Sequence, residues 1–452
     1  MNKLFVSLLI TVLIGACQSY EDVGKARRIQ AQENYKNGKD IVVGIVWPRT
    51  HSGHFLEGVE LAVNEINSCG GVKSSCCQCQ QAKNDCERCQ KEQTKCEGCQ
   101  QLKSACESCQ HHPSGRKLKT LIYDEDSPQF SPRIRNAPQR FANQLAVEIS
   151  KNLDVVAVIG HPPSAEAIPA SVVYQYYRVL FLAPASTNLA LTNPAFPLVF
   201  RLIPNNQYMA EQLVGYCALY KHYKNIVVLN VRSIYGEELA DSFNESAGRI
   251  GLNIVHRGSF FADVESFHAS VIAPFKEKQF DAIFIAAGEK EGYRLTQQIL
   301  QMGISQPIIG GDALYSEKFV DLAGKADVTV PVIFKETSNF AQHFIEQYRK
   351  TFKQEPDHWA AQGYDSIQLL AHAIEGTDSS FPYGLATFLR YMPMWIGATG
   401  IHAFEEDGEI EGKQFSFKEL DRSGKWVTIP GAQIPYLLHK LEQRHHSTTQ
   451  QE

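Results

Sequence analysis

Beyond its first residues, the chain has no apolar run long enough to span a bilayer, which excludes a receptor threaded through the membrane in its body. It has no H-E-x-x-H and no P-loop, and Ser164 does not sit in a G-x-S-x-G elbow, so the usual settings of zinc proteases, nucleotide hydrolases and serine hydrolases are missing. Positive charge is not in excess: 44 Lys and Arg face 49 Asp and Glu, a net charge of -5, which argues against nucleic acid as a partner. No C-x-x-C is followed directly by histidine, which argues against haem; Cys109 is followed by Gln110. Between Lys73 and Ser114 there is almost no apolar residue besides Leu102 and the cysteines, so that stretch cannot bury a core of its own.

The chain as a whole has an ordinary soluble composition, 452 residues with 44% hydrophobic content, enough for two or three compact units. The first residues, MNKLFVSLLITVLIGACQ, have one lysine, an apolar core from Leu4 to Ile14 and small residues before Cys17. That is a secretory signal peptide, and Ile14-Gly15-Ala16-Cys17 resembles the bacterial lipobox. Cleavage before Cys17 leaves an acylated amino terminus, a lipid anchor in the membrane and an exported protein; an ordinary signal peptide that happens to contain Cys17 is the alternative. Gln18, by resemblance to enterobacterial sorting, points to the outer membrane of a Gram-negative host. Residues 18–39, rich in Gln, Arg, Lys and Glu, are expected as a tether.

Apolar strands and helical patterns alternate from there, the signature of parallel α/β sheets. Val155–Ile159 ends at Gly160 and a polar turn carrying Ser164; Val179–Ala183 breaks at Pro184 into Ala185-Ser186-Thr187. Two such loops lie side by side at the carboxyl ends of neighbouring strands, where small ligands bind in open α/β sheets. Capping of the following helices would explain Ser164 and Thr187 without a ligand.

IGHPPSAEAIPAS followed by LAPASTN resembles the paired loops of the leucine/isoleucine/valine-binding proteins, amino-acid-binding members of the type I periplasmic binding proteins. The likeness covers most of Asp40–Pro435, includes Gly363-Tyr364-Asp365 in AAQGYDSIQLLAHAIE, and is interrupted by the cysteine-rich insertion. It implies an α/β, two-lobed type I periplasmic binding protein fold, each lobe a parallel sheet flanked by helices. Residues 40–203 and 337–392 are expected in the first lobe, 204–336 and 393–436 in the second, and 437–452 as a disordered tail. It further implies a non-enzymatic protein without a cofactor, which binds an amino acid or related zwitterion by hinge closure and delivers it to an ABC importer permease. Ser164 and Thr187, in the loop with Ser186, would take the ligand carboxylate; the Ala185 carbonyl, Thr187 and Asp312 would take the ammonium; Tyr235 would cover the ligand from the other lobe. Two departures stand out. The turn Trp47–His51 is shorter than usual, with Arg49 or His51 placed to touch a ligand, and Glu289-Lys290 follow Ala287-Gly288 where the family often has an aromatic.

The insertion repeats every ten residues, with C-x-x-C pairs formed by Cys76 and Cys79, Cys86 and Cys89, Cys96 and Cys99, and Cys106 and Cys109. Outside the cytoplasm disulfides are the default, and with Cys69 and Cys77 the cysteines number ten, enough for five bridges, leaving Cys217 free. The same pairs could hold Zn²⁺ or Cu⁺, with His111 and His112 as further ligands; thioredoxin-like redox chemistry lacks its βαβ setting. A ligand-sensing or envelope-assembly lipoprotein, or a metal-handling protein acting through this insertion, are therefore the rival functions.

Overall fold

The computed structural model describes residues 23–50, 53–72, 115–126 and 138–430. Several sequence expectations fall outside the described residues: Cys17 as the lipidation site, His51 as a ligand contact, and the tail. The same holds for every paired cysteine of the insertion, Cys76, Cys79, Cys86, Cys89, Cys96, Cys99, Cys106 and Cys109, expected in disulfides or as metal ligands, and for Cys77, His111 and His112. No helix among the described residues is long and apolar enough to cross a membrane.

Two sheets organise the chain. The first contains β1 (Ile41–Val46), β2 (Leu118–Tyr123), β3 (Val155–Gly160), β4 (Leu180–Ala183) and β5 (Val199–Arg201), all parallel, in the order β2-β1-β3-β4-β5. β3 and β4 are buried at every residue, as central strands covered on both faces must be, and that is why they are continuous apolar runs. The second sheet runs β15-β14-β10-β9-β8-β6-β7, comprising β6 (Asn225–Val231), β7 (Asn253–Phe260), β8 (Ala282–Ala286), β9 (Ile308–Gly310), β10 (Val328–Val332), β14 (Ser416–Leu420) and β15 (Trp426–Thr428). The pairings β10–β14 and β14–β15 are antiparallel and the others parallel. The chain is thus a two-lobed α/β protein.

Helices cover both sheets. In the first lobe, the helices Phe55–Ser68 and His358–Thr377 meet backbone to backbone. A Cβ on Gly58 would lie 1.9 Å from the Ala360 carbonyl oxygen, and one on Gly363 would lie 2.3 Å from that of Phe55. Only glycine permits that approach. Among the described residues the chain passes between lobes three times, after β5, after β10 and between β13 (Ile410–Glu411) and β14.

Two expectations change. Residues 23–36, expected within a tether, form a helix, α1, fixed to the first lobe. Arg27 is 1% exposed, and its guanidinium donates to the carbonyls of Ser150 (2.6 Å), Val155 (2.5 Å) and Tyr177 (2.9 Å). Gln30 and Asn34 both donate to Asp154 at 2.8 Å. The helix is held by hydrogen bonds to carbonyls left at strand and helix ends, and hydrophobic patterning carries no trace of that hold. The stretch 393–411, expected in the second lobe, packs on the first. Its antiparallel sheet, β11 (Trp395–Gly397), β12 (Gly400–Phe404) and β13, contributes Ala398, Phe404 and Ile410 to the core that contains Val43, Leu182 and Leu370. The second lobe regains the chain at β14.

Candidate functional site

The site begins at the carboxyl end of β3. Gly160 has φ 145, and a Cβ there would lie 2.0 Å from the Val46 carbonyl oxygen, so glycine is required for β3 to turn away beside β1. His161 follows in the left-handed region, φ 51, with its ring fully buried. Its Nδ1 lies 2.6 Å from Glu125 Oε1 and its Nε2 2.8 Å from the Tyr174 hydroxyl. This clamp fixes the turn that delivers Ser164 to the first position of the helix Ser164–Tyr177.

Ser164 is 3% exposed and does not cap its helix: its Oγ accepts from Ser186 Oγ at 3.1 Å and from the Asn188 amide at 3.4 Å. Both bonds use the oxygen as acceptor and leave its own O–H to donate. The 3₁₀ turn Leu189–Leu191 that follows Thr187 is capped by Asn188, whose side chain accepts from the Ala190 amide at 2.9 Å. Thr187 is 1% exposed, and its Oγ1 is buried without a hydrogen-bond partner among the described residues. A buried hydroxyl left unpaired costs about 1–3 kcal/mol, and a bound polar group would relieve it.

Arg201, at the end of β5, sets the 185–192 loop from behind. It is fully buried and donates to the Ser186 carbonyl (2.9 Å), the Asn188 carbonyl (2.8 Å), Thr192 Oγ1 (2.9 Å) and Glu409 Oε2 (2.9 Å). In a trans peptide the N–H points opposite to the C=O. With the Ser186 carbonyl on Arg201, the Thr187 N–H therefore faces away from the guanidinium. The one sequence signal for Arg201 was a charged residue inside the apolar run Phe200–Pro204.

The second lobe supplies a pair. Ser233 caps the helix Ile234–Ile250 by accepting from the Gly236 amide at 3.0 Å, and Tyr235 lies in its first turn. The Tyr235 hydroxyl donates to Asp312 Oδ1 at 2.8 Å. It reaches there because residue 311 is glycine: a Cβ would sit 2.2 Å from that hydroxyl oxygen. Asp312 is 3% exposed, and burial raises its carboxyl to about 6 while the Tyr235 bond pulls in the opposite direction.

The two edges face each other through hydrogen bonds that cross between lobes. Asn188 Nδ2 donates to the Ile234 carbonyl at 3.0 Å, and the Leu189 amide donates to Glu238 Oε2 at 3.1 Å. Glu238 also accepts from Asn206 Nδ2 at 2.8 Å. Ser164, Ser186 and Thr187 thus form one cluster, beside Ala185, and Tyr235 and Asp312 form another across from it. The remaining candidates have their own contacts. Arg49 is exposed, with its amide on Asp124 at 3.1 Å, and Trp47 is buried, stacked on Phe55 at 3.8 Å. Glu289 forms an ion pair with Lys318.

A second polar centre sits where the chain crosses between lobes. Lys413, 3% exposed, donates to the Leu202 carbonyl at 2.9 Å and lies 2.9 Å from His402 Nε2; burial lowers its amine to about 7. Gln362 donates to the carbonyls of Pro184 (2.8 Å) and Leu202 (2.9 Å), joining this centre to the ligand loop.

The cysteine-rich insertion is rooted at the other end of the first sheet. Val72 and Arg116, which flank it, form an isolated antiparallel bridge, and Arg116 donates to the Lys39 carbonyl at 2.6 Å, just before β1 begins. Cys69 is half-buried and unbridged among the described residues; Cys217 is buried, and burial pushes its thiol up to about 12. The four C-x-x-C pairs, Cys76 with Cys79, Cys86 with Cys89, Cys96 with Cys99 and Cys106 with Cys109, lie between these anchor points and outside the described residues.

Two α/β lobes with facing polar edges and three crossings define a two-lobed solute-binding protein. Residues 135–424 match the family described as Periplasmic binding protein, and the chain belongs to that family. It is 21% identical over 401 residues to an "Amino acid binding protein" of Pseudomonas aeruginosa, covering 86% of this chain and 93% of that one. It is 23% identical over 382 residues to the "Leu/Ile/Val-binding protein homolog 1" of Brucella abortus, covering 82% and 87%. Among solved structures, an ABC transporter substrate-binding protein of Desulfitobacterium hafniense in complex with Leu is 28% identical, with a TM-score of 0.68, covering 86% of this chain and 100% of the other. A solute-binding protein of Rhodopseudomonas palustris in complex with benzoate shares the fold at 16% identity and a TM-score of 0.65, covering 86% and 95%.

Proposed function

We propose that the chain captures a free amino acid, or a closely related zwitterion, between its lobes and hands it to an ABC importer as a non-enzymatic, exported, lipid-anchored protein. The observation that carries the reading is the pairing of opposite needs across the crevice. On one side stand a buried, unpartnered Thr187 hydroxyl, the free proton of Ser164 and the Thr187 amide; on the other stands a buried carboxylate, Asp312, oriented by Tyr235. Removing both ends of a zwitterion from water costs several kcal/mol unless each meets hydrogen bonds and opposite charge. Donors on the first lobe suit the carboxylate, and Asp312 with the Ala185 carbonyl suits the ammonium. Because the two halves belong to different lobes, a ligand that bridges them stabilises the closed state.

The benzoate complex shows that this fold also carries acids without an amino group, so Asp312 is what favours an amino acid here. The non-enzymatic reading draws support from His161, whose two ring nitrogens are both engaged away from Ser164. The name of the Desulfitobacterium protein and the bound Leu support the importer and the ligand class alike.

The test is a thermal-shift screen of protein refolded to remove bound ligand, against amino acids and their deaminated analogues. A ligand at about 100 times its Kd adds about 2.7 kcal/mol to stability. A shift with an amino acid that disappears in Asp312→Ala supports the proposal; no shift with any amino acid refutes it.

A further inference from the structure

α1 packs on the first lobe by one face only. Gly24, Arg27, Ala31 and Asn34 are buried, while Lys25, Arg28, Ile29, Gln32 and Lys36 are exposed and fall at helical spacing on the opposite face. Ile29 is 46% exposed among these basic neighbours, and Glu33, the one acidic residue of the helix, stands exposed at the margin of the stripe. The helix lies across the amino ends of the first sheet: Arg27 holds the carbonyl of Val155, the first residue of β3, and the chain enters β1 five residues after the helix ends at 36.

Only residues 18–22 separate Cys17 from the first described residue of α1. Six Cα–Cα steps reach at most about 20 Å. If Cys17 carries acyl chains, the start of α1 cannot stand further than that from the headgroups, and its basic stripe comes within range of their charge. We propose that the outer face of α1, Lys25, Arg28, Ile29 and Lys36, rests on the anionic phospholipid surface that holds the anchor. This rests on the lipid-anchor reading of Cys17. Charge and the shortness of the link both select this occupant, and Ile29 gives the stripe an apolar residue to seat at the interface.

The consequence is an oriented protein. The carboxyl ends of the first sheet, with Ser164 and Thr187, stand about 30 Å from the bilayer, the length of a six-residue strand plus the thickness of a helix. The lobes are then stacked away from the membrane and the crevice opens along it, so transfer to a permease in the same membrane requires α1 to release.

The test is lysine acetylation read by mass spectrometry on the full, anchored protein in vesicles of phosphatidylethanolamine with phosphatidylglycerol, and in neutral phosphatidylcholine vesicles. The expected result is several-fold slower modification of Lys25 and Lys36 on the anionic vesicles, with exposed Lys276 of the second lobe unchanged. Arg28→Glu with Lys36→Glu should abolish the protection of Lys25. Equal reactivity of Lys25 on both vesicles, with the acyl chains confirmed by intact mass, overturns the proposal and leaves the anchor standing. An intact mass without acyl chains overturns both.

Discussion

The Tyr235 hydroxyl donates to Asp312 Oδ1 at 2.8 Å, so the buried carboxylate at the edge of the second lobe is oriented before any ligand arrives. Burial raises this carboxyl from 3.8 to about 6, while the bond from Tyr235 opposes the shift. The affinity of an ammonium for it depends on the ionised form. Amino-acid affinity should therefore fall as pH drops through about 6, approaching tenfold per pH unit below it, and calorimetric titration between pH 5 and 8 reads this directly. Constant affinity across that range would contradict an Asp312–ammonium contact.

The same shift acts with the opposite sign on the empty protein. A carboxyl whose pKa is higher in the folded state than in the unfolded one holds its proton more tightly when folded, so stability declines as pH rises from about 4 to above 6. The decline attributable to Asp312 is up to about 3 kcal/mol. Asp312→Asn should remove that component, making the ligand-free variant more stable than the parent at pH 8 but not at pH 4.5, by denaturant titration. Its ligand affinity should be lost at both.

Arg201 connects the ligand loop to the hairpin that carries Glu409. Truncation to Ala leaves Glu409 without its positive partner, with the Thr192 hydroxyl still donating to it, and should cost about 3 kcal/mol. Arg201→Lys keeps a charge but cannot serve four acceptors at once. It should fold and yet lose more than tenfold in affinity, because the Ser186 and Thr187 peptide is no longer fixed; an unchanged affinity would show that Arg201 only stabilises the fold.

Glu238 joins the lobes through the Leu189 amide and is held in place within its own lobe by Asn206. Hydrogen bonds to a charged group contribute about 1.5–3 kcal/mol, so Glu238→Ala should shift the ligand-free protein toward an open form. Small-angle scattering should record a larger radius of gyration in the absence of ligand and a return toward the parent value when ligand is added.

Gly160→Ala meets two obstacles, a φ of 145 and the Val46 carbonyl. Since Ser164 follows within the same turn, the variant should lose at least about 2 kcal/mol of stability and weaken binding together, as denaturation and calorimetry would show.

Much of this architecture is written locally. β2 spans Leu118–Tyr123, as read from the sequence, and the central strands β3, β4, β6 and β8 are largely apolar because both faces are covered. Polar loops at the carboxyl ends of neighbouring strands bring Ser164 and Thr187 together as a consequence of parallel pairing. What escaped the sequence acts over long separations. Arg201 finds Glu409 208 positions away, and Lys413 finds the Leu202 carbonyl 211 positions away. Backbone carbonyls have no signature in a sequence, so the side chains that seek them look like ordinary surface charges. The same holds for Arg27, whose three carbonyl partners turn an apparently solvated segment into a docked helix. The 393–411 hairpins were misplaced because short amphipathic strands do not state which lobe receives their apolar side.

The most direct measurement is calorimetric titration of the refolded, ligand-free protein with an amino acid identified by the thermal-shift screen and with its deaminated analogue, in the parent and in Asp312→Ala. A zwitterion site predicts binding of the amino acid at one site per chain, binding of the analogue at least tenfold weaker, and loss of that difference in the variant. Equal affinity for the two compounds in the parent would contradict it, placing the chain with the carboxylate binders of this fold instead.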